Sequence, residues 1–180
     1  MTTAYTLYNL DYYEEMLKRN SKSAERIAKI RWKFVSQLNP KLVLDYGSGC
    51  GWFRAYRPPE VVVDTYDIGE YPQTGILHKY YSLVCFCDVL EHLTSLSEVD
   101  NVLKMAEFIA ISVPIKPDKQ PLATWKHFKP GEHLNYFSES SLKDIFLKYN
   151  FRCLIKGHPE CPPRQDILSI IFQKVWSLDI

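Results

Sequence analysis

"VLDYGSGCGWF", residues 43–53, ends an apolar run on Asp45 and Tyr46 and then spaces glycines at 47, 49 and 51. Three glycines within five residues add backbone entropy to the cost of folding, so the chain there must need positive φ or a close approach to another group. The apolar run before them predicts a strand feeding a turn. In an open parallel sheet such a turn faces the crevice beyond the carboxyl ends of the strands, where the direction of winding reverses. A dinucleotide fingerprint, G-x-G-x-x-G, would place its third glycine at position 52, which is Trp52, and no Gly-Lys-Ser/Thr follows to make a phosphate loop. The spacing is D-x-G-x-G-x-G.

Outward from this stretch the pattern alternates. Ile27, Ile30, Phe34 and Leu38 give residues 11–38 the stripe of a packed helix, which Asn39-Pro40 stops. After "YRPPE" the run Val61-Val62-Val63 predicts a strand covered on both faces. "YSLVCFCDVL" (81–90) and "FIAISVPI" (108–115) predict two more strands. Between them Ser95 and Glu98 have capping-box spacing ahead of a Leu96, Val99, Leu103 stripe. In "FSESSLKDIFLKYN" Ser138 is the expected N-cap of a last helix, Phe137 and Leu142 its staple, and Asn150 its left-handed stop. "FRCLIKG" and "DILSIIFQKVW" close the chain as a strand pair. The fold class read from this order is α/β: a Rossmann-like three-layer sandwich with a mostly parallel sheet and a C-terminal antiparallel pair. One domain over 1–180 is expected, with a helical segment at 1–38 and the core at 41–180.

Composition excludes little but points one way. The chain of 180 residues carries 22 basic against 21 acidic residues, a net charge of +1, which leaves no footprint for nucleic acid or an anionic membrane. No run approaches the ~20 apolar residues of a membrane span, and the N-terminus does not read as a secretory signal. Five cysteines, an odd number, read as free thiols of a reducing cytoplasm. Cys85 and Cys87 share one face of a strand but lack the second pair that a metal site would need, so no metal is expected. Four of the eleven prolines fall between Pro114 and Pro130, a long loop of the kind that forms lids and binding surfaces.

The glycine spacing resembles motif I of the class I S-adenosylmethionine-dependent methyltransferases, and the resemblance extends along the chain. "VVVDTYDIG" looks like that family's second strand with its terminal acid, Asp67, and "SLVCFCDVLEHL" like its fourth strand and the "vLEHL" turn. "ISVP" and "HFKPGEHLNYFSESSLKDIFLKYNF" are similar to the fifth strand, a histidine-bearing loop and the next helix of small-molecule methyltransferases related to ubiquinone-biosynthesis enzymes. The resemblance implies S-adenosylmethionine as cofactor. Asp67 would hold the ribose hydroxyls, and Asp45, Tyr46, Gly47, Ser48, Gly49 and Gly51 would form the loop around the amino-acid part. Cys87 and Asp88 would flank the methionine, and Ile68 would cover the adenine. Tyr13, in "DYYEEMLKR" (11–19), would close over the cofactor. Each has a structural alternative: Asp67 opening a turn with Gly69, Asp88 capping the next turn, Gly51 admitting a packed helix.

Methyl transfer implies a small-molecule acceptor, most simply a hydroxyl, with no nucleic acid or membrane partner. His133 and His127, in the long loop, are the candidate bases, since histidine titrates near neutrality. The alternative for each is a backbone hydrogen bond that shapes the loop, and His92 reads as a structural residue. Tyr12, Tyr13, Trp52, Trp125 and Tyr136 are the candidate acceptor wall. The chain also departs from the family. Only residues 68–80 separate Asp67 from the next strand, so the edge strand 3 is expected to be missing and "YPQTGIL" to cover the adenine end. The rival reading is a reduced, non-catalytic methyltransferase fold acting as a binding module.

Overall fold

The computed structural model describes residues 10–68, 79–116, 120–163 and 165–176. Four helices, α1 (Leu10–Val35), α2 (Trp52–Ala55), α3 (Asp100–Lys104) and α4 (Glu139–Lys148), flank one sheet. Its strands are β1 (Leu42–Tyr46), β2 (Val62–Tyr66), β3 (Tyr81–Cys87), β4 (Ala106–Pro114), β5 (Phe151–Gly157) and β6 (Ile167–Lys174), in the order β2-β1-β3-β4-β6-β5. The first four run parallel, and β6 enters antiparallel between β4 and β5. This is the expected mostly parallel sandwich with an antiparallel C-terminal pair.

Period-two alternation along the strands divides the core. Leu44, Val84, Phe86, Ile109 and Ile111 turn to one face, where they meet Leu103, Leu142 and Phe146 of α3 and α4. Val43, Leu83, Cys85 and Ala110 turn to the other, under Trp32 and Val35 of α1 and Phe53 of α2. There the Trp32 and Phe53 rings stack 4.1 Å apart, and the Trp32 indole N–H donates to the Phe53 carbonyl at 2.5 Å. The buried stripe of α1 is Ala28, Trp32 and Val35, one position round from the predicted one; Ile27, Ile30, Phe34 and Leu38 lie half-buried beside it.

Caps follow the sequence closely. The Ser95 and Glu98 box forms, although it opens a 3-10 turn (Leu96–Val99) that passes into the short α3. Ser138 caps α4 by accepting from the Ser141 N–H, and Asn150 takes φ 62° just beyond the helix. Asn39, at φ 47°, ends the turn after α1 ahead of Pro40. Three expectations need correction or lie elsewhere. Val62 is 58% exposed at the start of β2, which among the described residues is the sheet's edge, whereas Asp64 on the same face is buried. The missing third strand, Gly69 and "YPQTGIL" fall at 69–78, outside the described residues. Of the cysteines, Cys85 and Cys161 are buried, whereas Cys50, Cys87 and Cys153 are half-buried; all five are free thiols.

β1 pairs with β2 on one side and β3 on the other, so the chain reverses its winding there. The carboxyl ends of β1 and β3 therefore open onto the switch-point crevice.

Candidate active site

The glycine turn closes β1 as its sequence requires. Gly47, Gly49 and Gly51 have φ of 74°, 49° and 73°. At Gly47 an added Cβ would be driven into a Val89 methyl, and at Gly49 it would meet Tyr13 Cε1 at 3.3 Å. Gly51 has open space around it, so its backbone conformation, not helix packing, is what calls for glycine. The amides of Gly47 and Ser48 both donate to the Tyr66 carbonyl, at 2.7 and 3.1 Å, which ties the turn to the end of β2. Tyr46 packs between Tyr66 and Phe86, with ring centroids 4.7 and 5.3 Å away.

A crevice of about 420 Å³ lies against this turn, within the range of small-molecule sites. Ten of the eleven proposed cofactor residues border it: Asp45, Tyr46, Gly47, Ser48 and Gly49 at the end of β1 and in its turn, Asp67 and Ile68 beyond β2, Cys87 and Asp88 at the end of β3, and Tyr13 from α1. Gly51 stands just behind, as the N-cap of α2. His127, His133 and His92 border it as well. Trp125 and Tyr136 do not: Trp125 is buried behind the rim, its ring edge-on to both His127 and Tyr136. The aromatic wall is Tyr12, Tyr13 and Trp52.

Three buried polar atoms of this crevice have no hydrogen-bond partner among the described residues: Asp45 Oδ2, Trp52 Nε1 and Glu91 Oε2. Native interiors rarely leave such atoms unpaired, so together they mark a place built for a ligand. Burial pushes the Asp45 carboxyl up to about 7; the neighbouring Arg31 guanidinium acts in the opposite direction and Asp67 adds to the rise. Asp67 itself is 4% exposed, and its two oxygens accept from the Tyr13 hydroxyl at 3.2 Å and the Gly49 amide at 2.7 Å. That placement holds the glycine turn against the end of β2.

Sequence reasoning missed Arg31. It reaches from α1 across the crevice to Asp88 Oδ2 at 2.5 Å and makes two bonds to Glu160, at 2.8 and 3.1 Å. No motif signals it, because a lone arginine on an amphipathic helix looks like a solvated one. His127 Nε2 lies 3.4 Å from Asp166 Oδ2, while Lys126 pairs with the same oxygen. Burial lowers the basicity of His127, and it lowers that of His133 to about 4, with His92 and Lys129 adding to the effect on His133. His92 bonds the Glu132 carbonyl through Nδ1 at 2.9 Å, a structural contact as expected, yet its ring also faces the crevice.

An open α/β sheet with a D-x-G-x-G-x-G turn after β1, in place of the dinucleotide spacing, and an acid after β2 is the arrangement of the class I, S-adenosylmethionine-dependent methyltransferases. The chain belongs to the methyltransferase domain family, whose model matches residues 11–155. Among curated proteins none matches significantly. Solved structures share the fold at low identity. Magnesium protoporphyrin IX methyltransferase from Synechocystis PCC 6803, with bound SAH, is 15% identical with a TM-score of 0.66 over 95% of this chain and 98% of that one. A SAM-dependent methyltransferase from Archaeoglobus fulgidus is 18% identical with a TM-score of 0.65, over 91% and 100%. The 1,6-didemethyltoxoflavin-N1-methyltransferase of Burkholderia thailandensis is 14% identical with a TM-score of 0.64, over 95% and 85%. The matches reach the class and not its ubiquinone-biosynthesis branch. Among the described residues no helix is long and apolar enough to cross a membrane.

Proposed function

We propose that the protein methylates an oxygen of a small aromatic acceptor, with the cofactor in the switch-point crevice. The observation that carries this reading is the crevice itself. It gathers the buried, unpaired Asp45 and Trp52 atoms, the glycine turn and three histidines around one cavity. The donor set fits the cofactor: a carboxylate for two ribose hydroxyls at Asp67, a second for an ammonium at Asp45, and a turn without Cβ atoms between them. Ile68, 58% exposed at the rim, supplies an apolar cover for a flat base. Cys87 and Asp88 bound the methionine end.

Bound S-adenosylmethionine supplies an electrophilic methyl group on a positively charged sulfur. The protein's part is alignment. Tyr12, Tyr13 and Trp52 give the acceptor an aromatic wall, and holding its oxygen in line with the methyl lowers the barrier by removing orientational freedom. His127, its ring fixed by Asp166, accepts the acceptor's hydroxyl proton as the oxygen–carbon bond forms. His133, less basic and more deeply buried, is the weaker base of the two. The rival reading, a binding module without turnover, draws support from the Tyr13 hydroxyl already seated on Asp67.

Calorimetric titration with S-adenosylmethionine, followed by transfer of a labelled methyl to phenols and to amines of the same size, separates the readings. Saturable binding that Asp67→Ala abolishes, with label on the phenols, is the expected result. Binding unaffected by Asp67→Ala overturns the site. Binding without transfer to any acceptor favours the module, and label on amines alone overturns the oxygen preference.

A further inference from the structure

The turn after β3 and the long loop after β4 bring three metal-ligating side chains to one point. Glu91, His92 and His133 each offer an atom within 4.8 Å of the others. Glu91 is only 2% exposed and its Oε2 has no partner, an arrangement costly for a carboxylate unless something positive meets it. We propose that Glu91, His92 and His133 bind a divalent transition-metal ion on the acceptor side of the crevice.

The surroundings hold this set in place. The Glu91 carbonyl accepts from the amides of Leu134 and Asn135, at 2.7 and 3.1 Å, which fastens the Glu91 turn to the loop carrying His133. Asn135 Nδ2 clamps the same turn by donating to the carbonyls of Leu90 and Leu93, at 3.1 and 2.7 Å. The Glu132 carbonyl can only accept, so the His92 Nδ1 beside it carries the proton and Nε2 is the ring nitrogen whose lone pair can coordinate. The two imidazole rings stand edge to face, 4.8 Å apart at 87°. Metal–nitrogen bonds of about 2.1 Å put the ligands of one ion roughly 3–3.5 Å from each other, so side-chain rotations of about 1 Å complete the site. Two imidazoles and one carboxylate favour zinc, manganese or iron over magnesium or calcium, which prefer all-oxygen shells. Three protein ligands leave a coordination position open toward the crevice, where the acceptor's oxygen is proposed to lie. Metal binding stands without the proposed reaction; only the ion's use, to hold that oxygen, rests on it.

The test titrates chelator-treated full-length protein with Zn2+ by calorimetry, and with Co2+ by its visible absorption, which reports the donor set. One ion per chain is expected, with affinity reduced about tenfold or more in Glu91→Gln and in His133→Asn. S-adenosylmethionine affinity should be retained in both variants, which shows that they fold and separates this outcome from failure of the cofactor site. No stoichiometric binding by the parent protein, or binding unchanged in both variants, overturns the proposal.

Discussion

Tyr13 on the first turns of α1 donates its hydroxyl to Asp67 at the end of β2, across 54 residues of chain and 3.2 Å of space. The same ring packs where a side chain on Gly49 would begin. Asp67 is the proposed ribose ligand, so this phenol sits where sugar hydroxyls would go. Burial and the Asp67 carboxylate both raise the Tyr13 hydroxyl above its ordinary range, which keeps it a donor at all working pH values.

Tyr13→Phe should therefore tighten S-adenosylmethionine binding, by about fivefold if one hydrogen bond of roughly 1 kcal/mol no longer competes. Calorimetry decides it. Weaker binding would mean that the phenol joins the cofactor instead of yielding to it.

Asp45 gives a pH dependence with a definite sign. Its carboxyl, raised to about 7, gains a proton as pH falls through neutrality, and with it loses its attraction for an ammonium. Cofactor affinity should fall as pH drops from above 7 toward ordinary carboxylate values, and Asp45→Asn should bind more weakly with a flat profile over that window. Stability runs the other way: because the folded value is raised, the group's favourable contribution is complete below its unfolded value and is lost as pH climbs through about 7. Urea unfolding should show Asp45→Asn gaining on the parent protein as pH rises through neutrality.

The glycines should rank by what surrounds them. Gly51→Ala meets no neighbour and should cost only the left-handed backbone, about 1 kcal/mol. Gly47→Ala adds a collision with Val89 to the same strain and should cost about 1–3 kcal/mol more. Equal losses in urea unfolding would contradict this ranking.

Arg31→Met should be severe. The side chain of Glu160 is 7% exposed and would lose both bonds to the guanidinium, at a cost of about 3–5 kcal/mol. Arg31 also holds down the Asp45 carboxyl, so the pH at which cofactor affinity falls should move upward in a variant that still folds.

His127→Ala should lower turnover by about a hundredfold or more while leaving cofactor affinity in place. Undiminished turnover would remove it from proton transfer.

Much of this was legible from local pattern. The β1–glycine turn, the Ser95 and Ser138 caps and the Asn150 stop are short-range devices, and each forms where its residues stand. What was illegible depended on packing between distant elements. Trp125 and Tyr136 look as suitable for a ligand wall as Tyr12 and Trp52, yet the loop turns the first two behind the rim. The helix stripe was displaced to Trp32 because Phe53 offers a flat partner there, 21 residues away. Glu91 and His92 stood in a quoted motif, but only the fold reveals that a buried oxygen of Glu91 has been left unmatched beside His133.

The anchoring of α1 has a mechanical consequence. Its far end is pinned by the Trp32–Phe53 stack, while Tyr13 lies 19 residues earlier, a lever arm of about 28 Å at helical rise. A tilt of a few degrees about the pinned tryptophan would carry the phenol more than an ångström from its carboxylate and leave the hydrophobic interior intact. Admission of the nucleoside and departure of the spent product would then share one gate, worked from the helix tip.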